Sequence, residues 1–446
     1  MRKHLTNAVS GVLDYASYPV GMLLVAPIVL HRVGASEYGL WMISTALISA
    51  GGIIASGFGD ASIQRVAFLR GTGDIESILR TFRSMMGINL VLGLILAACA
   101  WTAAPYAAPR IAVAHQTSAG ECLISLRIAS VLILLRSIET VAVSTHRAFE
   151  QYRGTVLIST ATRFLTLASA SILALLGHGT IGFLLATAVF LTLGTFMQFR
   201  QLRGLLGTVP MWPLFQSTET RILLGLGVFV WLQAVGAVIF GQFDRIFLGV
   251  SLGALAVAPY SLCVQFAQPI FGLTASGLNF LFPYLSGRAG SISGHDLRKT
   301  ILKAFACNLL LVACGTGILL LVENRLIQLW AGSVVAERAS RILMPITLSS
   351  ALMGLSVTGT YAMQALGLFR TVAFISLASR TAMLLLMIQL LRHMGIQGLA
   401  LSRLCYGSVA LLVYVPLIAQ LNSRKRGSSS VPSLPITYRA QEEVKL

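Results

Sequence analysis

The chain has 446 residues, of which 56% are hydrophobic and only 11% charged, and its formal net charge is +18. Soluble domains carry roughly 25% charged residues, so composition argues against a water-soluble enzyme and against a basic patch on a soluble nucleic-acid-binding fold. Apolar runs of about 20 residues recur from end to end, the length a helix needs to cross a hydrocarbon core. A helix also satisfies its own backbone polar groups in lipid.

The basic start Met1-Arg-Lys-His leads into an apolar stretch too long for a signal peptide and without a small-residue cleavage site, so it reads as the first spanning helix. Spans are expected at 8–31, 39–58, 84–104, 122–145, 155–176, 180–198, 222–248, 257–284, 299–322, 341–363, 370–391 and 395–421. Asp14 lies in the inner half of the first span. A carboxylate there is costly unless paired, protonated or facing water. It is either an ion-coupling group that responds to protons or sodium, or a buried or interfacial carboxylate with a structural partner. Pro19 and Pro27 bend the same span.

Span four carries Arg127, Arg136 and Glu139. Arg136 and Glu139 are three residues apart and share a helix face, which suits a neutralised internal pair or a substrate contact. Arg127 is out of phase with Arg136 and nearer the outer surface, where its stem can snorkel. Arg163 falls in the middle of span five, Arg380 in the middle of span eleven, and Arg403 about eight residues into span twelve. Asp244-Arg245 closes span seven as an adjacent acid and base that neutralise each other locally. The longest inner connections are 59–83, 199–221 and 285–298; the second joins two halves and holds Trp212, a residue suited to the membrane interface. The end, from Ser423-Arg-Lys-Arg-Gly-Ser-Ser-Ser onward, is a polar, flexible tail.

With the N-terminus inside and residues at span ends counted with the adjoining segment, twenty-one of the 33 Lys and Arg fall on the inner side and seven on the outer, leaving five in span interiors. This bias places both termini in the cytoplasm and explains most of the net charge as an orientation signal meeting anionic head groups. The six cysteines are scattered and lack metal-ligand or redox spacing. No zinc, haem, nucleophile or phosphate-cradling pattern is found, so no cofactor is expected.

Two stretches repeat one another without a gap. Ala148-Phe-Glu-Gln-Tyr-Arg153 continues to Ile158-Ser159, Ala161 and Arg163; Ala365-Leu-Gly-Leu-Phe-Arg370 continues to Ile375-Ser376, Ala378 and Arg380. If Arg153 and Arg370 mark the membrane surface, Arg163 and Arg380 lie about 15 Å deeper at about 1.5 Å per residue, half of a core roughly 30 Å thick. A second pair, Gly34-Ala35 to Trp41 and Gly253-Ala254 to Tyr260, recurs at nearly the same offset. These repeats imply duplication of a six-helix unit: an N-terminal lobe over 1–200, an inner linker over 201–221, a C-terminal lobe over 222–421 and a tail over 422–446. A matched intramembrane cation in each half points to transport of something negatively charged.

Leu30-His-Arg-Val-Gly-Ala-Ser-Glu-Tyr-Gly-Leu-Trp41 and Gly57-Phe-Gly-Asp-Ala-Ser-Ile-Gln-Arg65 resemble the first two helices of polysaccharide-biosynthesis flippases, the O-antigen (Wzx-type) branch of the multidrug/oligosaccharidyl-lipid/polysaccharide exporter superfamily. Phe243-Asp-Arg-Ile-Phe-Leu-Gly249 with Tyr260, Phe282-Pro283-Tyr-Leu-Ser and Gln364-Ala-Leu-Gly-Leu-Phe-Arg370 resemble later landmarks of the same family, so the resemblance runs from residue 5 to about 420. It implies an all-α membrane protein with about twelve transmembrane helices, in two pseudo-symmetric lobes around a central cavity that opens alternately to each side of the bacterial inner membrane. The implied cargo is an undecaprenyl-pyrophosphate-linked oligosaccharide. The implied partners are that lipid-linked oligosaccharide, membrane lipids, and a polysaccharide polymerase with its chain-length regulator. Cavity arginines drawn from Arg163, Arg380, Arg136 and Arg403 would hold the pyrophosphate and anionic sugars. Twelve spans depart from the fourteen of the lipid II flippase branch. The competing readings are a cation-coupled drug or metabolite exporter on the same fold, for which Asp14 is the suitable acid, and a non-transporting scaffold.

Overall fold

The computed structural model describes residues 20–72, 74–113, 116–149, 152–207, 210–278, 281–286 and 294–425. Asp14, Pro19 and most of the tail lie outside the described residues. The chain folds as an all-helical, multi-pass membrane protein. Its helices are α1 (Val20–Arg32), α2 (Ala35–Ala55), α3 (Gly59–Thr72), α4 (Ile75–Ile111), α5 (Ala119–Ala148), α6 (Tyr152–Leu175), α7 (Thr180–Leu206) and α8 (Ser217–Gly241). There follow α9 (Phe243–Leu252), α10 (Ala254–Gly277), α11 (Leu281–Ser286), α12 (Gly294–Ala331), α13 (Ser333–Ala365), α14 (Phe369–Met394), α15 (Ile396–Ala410) and α16 (Tyr414–Lys425). Among the described residues nine helical spans are long and apolar enough to cross a membrane. With α1, the more polar α5 and the pair α8–α9, they account for the twelve expected spans.

The helix ends follow from local chemistry. Asp74 caps α4 by accepting from the Ser77 amide at 2.9 Å; the Ser77 hydroxyl and amide together hold its carboxyl below the ordinary value. Ser118 and Glu121 form a reciprocal capping box at α5. Glu37 on α2 accepts from the Thr180 amide at 2.6 Å, setting a carboxylate at the start of α7. Where the structure departs from the expected spans, the causes are also local. Most of the expected inner connection 59–83 is helical, as α3 and the start of α4. Span seven breaks at Gln242, because Asp244 turns back to accept from the Arg245 amide at 2.7 Å and from the Tyr260 hydroxyl. Asp244 is therefore buried against Tyr260, and its carboxylate is met by that hydroxyl and a backbone amide, a different arrangement from the expected acid–base neutralisation. Span twelve tightens into a 3-10 turn at Leu411–Val413, where Pro416 supplies no amide hydrogen to the preceding turn.

The sequence repeat is also a repeat of structure. α5 ends at Ala148 and α13 at Ala365; α6 begins at Tyr152 and α14 at Phe369. Both pairs keep the offset of the aligned sequences. α2 and α10 each start immediately after a glycine with positive φ, Gly34 at 99° and Gly253 at 84°, a conformation that L side chains rarely adopt. The long helices also match, with 37 residues in α4 and 38 in α12. A third pairing was not read from the sequence. Asn89 on α4 donates to the Ser137 carbonyl at 3.0 Å and the Thr140 hydroxyl at 3.2 Å on α5. Asn308 on α12 donates to the Gly354 carbonyl at 2.9 Å and the Thr358 hydroxyl at 3.0 Å on α13. Each half thus joins its two long helices by the same amide clamp.

By its internal packing the chain divides into two compact units, one of Met1–Gln265 with Arg325–Ser340 and one of Phe266–Asn324 with Arg341–Leu446. In the first unit, Phe58, Val66, Ile78, Phe82, Val141 and Leu202 belong to one buried cluster. Its helices touch closely: a Cβ on Gly39 of α2 would lie 1.8 Å from the Ala254 carbonyl oxygen. In the second unit, Leu281, Ile301, Met363, Val413 and Leu417 form the core.

Candidate functional site

The intramembrane arginines fall into distinct surroundings. Arg136 pairs with Glu139 one turn along α5, as the three-residue spacing implies, and that carboxylate is buried while the guanidinium stays part-exposed. The room for this pair comes from α2, where a side chain at Gly52 would meet the Arg136 stem at 2.7 Å. Arg127 lies over the Trp101 ring at 4.9 Å, a cation–π contact for a residue expected near the membrane surface. The charge of Arg136 is therefore partly balanced by a buried acid, and that of Arg127 rests on an aromatic face.

Arg163 is half-buried on α6. One turn before it, Ser159 accepts from the Gln198 side chain at 3.2 Å, and the Gln198 carbonyl meets the His146 ring at 3.1 Å. This buried polar chain ties α5, α6 and α7 together just below Arg163. The next residue back, Thr162, sits against Gly194 of α7, where a Cβ would come within 2.3 Å of its hydroxyl. A second polar centre lies outside the expected spans. Arg65 on α3 grips Glu219 on α8 through both its Nε (3.2 Å) and a terminal nitrogen (2.9 Å), and Thr81 on α4 donates to the same carboxylate at 3.2 Å. This fork joins α3, α4 and α8 within the first unit.

In the second unit, α14 and α15 form a tight hairpin. Gly395, with φ of 58°, makes the turn. A side chain at Gly398 would come within 2.3 Å of the Leu390 carbonyl oxygen, so the two helices meet backbone to backbone. Arg380 on α14 is hydrogen-bonded to the hydroxyl of Tyr406 on α15, and Arg403 lies near enough to that hydroxyl to act on it electrostatically. Arg403 and Tyr406 are three residues apart and share a face. The turn bearing Arg403 is itself pinned, since Ser349 on α13 donates to its carbonyl at 2.6 Å, and Gly407 lets α15 close onto the Ser349 backbone. No Asp or Glu occurs anywhere between Phe369 and Leu421. The hairpin therefore holds two half-buried guanidinium groups around one phenol and supplies no carboxylate of its own.

The structure thus places Arg380 with Arg403 in one cluster, Arg163 at the repeat-equivalent position of α6, and Arg136 in an ion pair. Asp14 is outside the described residues. Tyr406 was missed by the sequence reading, although its signal was present as Arg403-Leu-Cys-Tyr406, a cation and a hydroxyl on one helix face. Arg403 and Tyr406 have no like residues at the matching positions of α7, which carry Ala186 and Val189. Among the described residues no group of three or more His, Cys, Asp or Glu could hold a metal ion.

No protein-family profile matches the chain, and no characterised protein matches it by sequence. Solved structures do match its fold. An inward-facing multidrug resistance MATE family transporter of the MOP superfamily superposes with a TM-score of 0.72 at 14% identity, covering 94% of this chain and 99% of the other. The lipid II flippase MurJ in an inward closed conformation gives 0.73 at 14% identity, covering 92% of this chain and 87% of the other. The eukaryotic MATE transporter AtDTX14 gives 0.62 at 14% identity over 95% and 98%. The fold is that of these transporters along nearly the whole chain.

Proposed function

We propose that this protein is an alternating-access flippase that moves an undecaprenyl-pyrophosphate-linked oligosaccharide from the cytoplasmic to the periplasmic leaflet, on the way to a surface polysaccharide. The observation that carries this reading is the pair Arg380 and Arg403 around Tyr406, set on a hairpin without carboxylates, with a matching cation at Arg163. A guanidinium inside a membrane protein is costly and marks a functional site by default. Its planar fork suits a phosphate oxygen pair better than an ammonium does. The Tyr406 hydroxyl accepts from Arg380 with its oxygen and keeps its own proton to offer to a phosphate. Such charge-assisted hydrogen bonds gain strength where water is scarce. The likeness to a lipid II flippase supports a lipid-linked cargo, and the likeness to MATE transporters supports alternating access. An exporter of cationic drugs would want acids in this hairpin, and it has none.

The test is complementation of surface polysaccharide in a strain lacking its flippase, with membrane abundance measured for every variant. Arg380→Ala and Arg403→Ala should each lose about 1.5–3 kcal/mol of interaction, hence roughly 10- to 150-fold in export rate. The double variant should lose less than the sum, because both cations grip one group. Arg→Lys should retain partial export at either position, and Arg163→Ala should follow Arg380→Ala in direction. Full export by a stable Arg380→Ala/Arg403→Ala double variant would leave these arginines as lattice residues and overturn the reading.

A further inference from the structure

The inner end of α12 carries a pocket separate from the arginine hairpin. A cavity of about 570 Å³ is lined by His295, Arg298, Lys299 and Lys303, with Leu302 on α12 and Leu421 on α16 among its apolar walls. The spacing 295, 298/299, 302/303 sets these groups along one face of the helix. All four basic side chains are exposed. No acid lines the cavity; Asp296, on the first turn of the same helix, lies outside the lining. The same face continues along the membrane span as Leu302, Leu309 and Leu310, all exposed. A row of exposed leucines on a spanning helix faces acyl chains, so cations at its end stand where lipid head groups lie.

We propose that this pocket binds the phosphate head group of an anionic glycerophospholipid of the cytoplasmic leaflet, with an acyl chain running along Leu302 and Leu309. Basic pockets between spanning helices on the cytoplasmic side suit such head groups. The charge arrangement selects the phosphate. The lining contains no Phe, Tyr or Trp ring, carboxylate or side-chain amide with which to read a sugar, which favours a phospholipid over a glycolipid cargo. The inference stands whatever the chain transports.

The experiment uses the purified full-length protein in phosphatidylcholine nanodiscs doped with phosphatidylglycerol, with retained lipid measured by native mass spectrometry. The wild type should hold phosphatidylglycerol in preference to phosphatidylcholine, and added salt should weaken the preference. Each neutralised cation should cost about fivefold in retention, at about 1 kcal/mol per basic residue near the surface. The variant Arg298→Gln/Lys299→Gln/Lys303→Gln should therefore lose up to roughly a hundredfold, while Arg325→Gln at the opposite end of α12 changes little. Should the triple variant fold poorly, Lys303→Gln alone, with an unchanged melting curve, should still show the fivefold loss. Unchanged retention in either variant overturns the proposal, as does equal binding of phosphatidylcholine. Displacement of the lipid by inorganic phosphate at equal concentration would make this a free-phosphate site. Tenfold preference for a polyprenyl pyrophosphate would make it a loading port for cargo, and either result overturns the assignment to phospholipid.

Discussion

Asn89 and Asn308 do the same work at equivalent places, and single residues of this kind hold the two long helices of each half in register. An amide in a membrane interior has no water to fall back on, so its donors must find carbonyl or hydroxyl partners on the neighbouring helix. Each clamp uses one backbone carbonyl and one threonine hydroxyl. Interhelical hydrogen bonds in membranes contribute about 0.6 kcal/mol on average and up to about 1.7. Asn89→Ala and Asn308→Ala should each lower the thermal stability of the purified protein by about that amount. The two losses should add, because they act on different helix pairs. A melting curve unchanged by both substitutions would show that the clamps contribute nothing beyond packing. The arginines divide at this scale too. Arg136 has its carboxylate one turn away, while Arg380 and Arg403 share a phenol, and the proposed anion grip draws on the latter pair.

Among the elements, the hairpin α14–α15 couples the fold most directly to the candidate site. Its two helices approach so closely at Gly398 that any Cβ would run into the Leu390 backbone oxygen. Small residues at such crossings are the means by which membrane helices pack. Gly398→Ala should cost about 1–3 kcal/mol through overpacking. It should also reduce export by moving Arg403 and Tyr406 away from Arg380. Both effects are measured together, as a melting temperature and as complementation at matched abundance. Normal export and normal stability in Gly398→Ala would show that the backbone contact does not position the site. Pro416, on α16 just past the hairpin, supplies no amide hydrogen to the preceding turn, and the 3-10 turn at Leu411–Val413 separates the arginine-bearing α15 from α16.

For the whole molecule, the distribution of basic residues predicts the orientation, and a topology test checks it. His178 and His393 are exposed beside the turns that precede α7 and α15, on the side expected to face outward. Arg203 and Lys299 are exposed at the ends expected to face the cytoplasm. In a cysteine-free background, His178→Cys and His393→Cys should react with a membrane-impermeant thiol reagent added to intact cells, and Arg203→Cys and Lys299→Cys should react only after the cells are opened. The reverse pattern would invert the molecule and move the basic pocket of α12 to the outer leaflet.

Helical class, the number of spans and the matched helix ends of the two repeated stretches were legible in the sequence because each depends on local properties. Apolar run length fixes what can cross a membrane, and a glycine with positive φ ends one helix and begins the next wherever it stands. The repeat aligned Ala148 with Ala365 and Arg163 with Arg380 before any contact was known, and the helix ends keep that alignment. The three-residue step from Arg136 to Glu139 was likewise readable, since both residues lie on one helix. Tertiary structure alone decided which side chains meet across helices. A period of 3.6 residues states which residues share a face, but not which face turns toward which neighbour, nor how far along its partner a helix is aligned. Close approach at Gly398, Gly407 and Gly52, where missing side chains admit a backbone or a long stem, is part of those choices. They bring Arg380 to Tyr406 and Arg403, bury Asp244 against Tyr260, and join Asn308 to Thr358, contacts between residues too far apart in the chain for spacing to reveal.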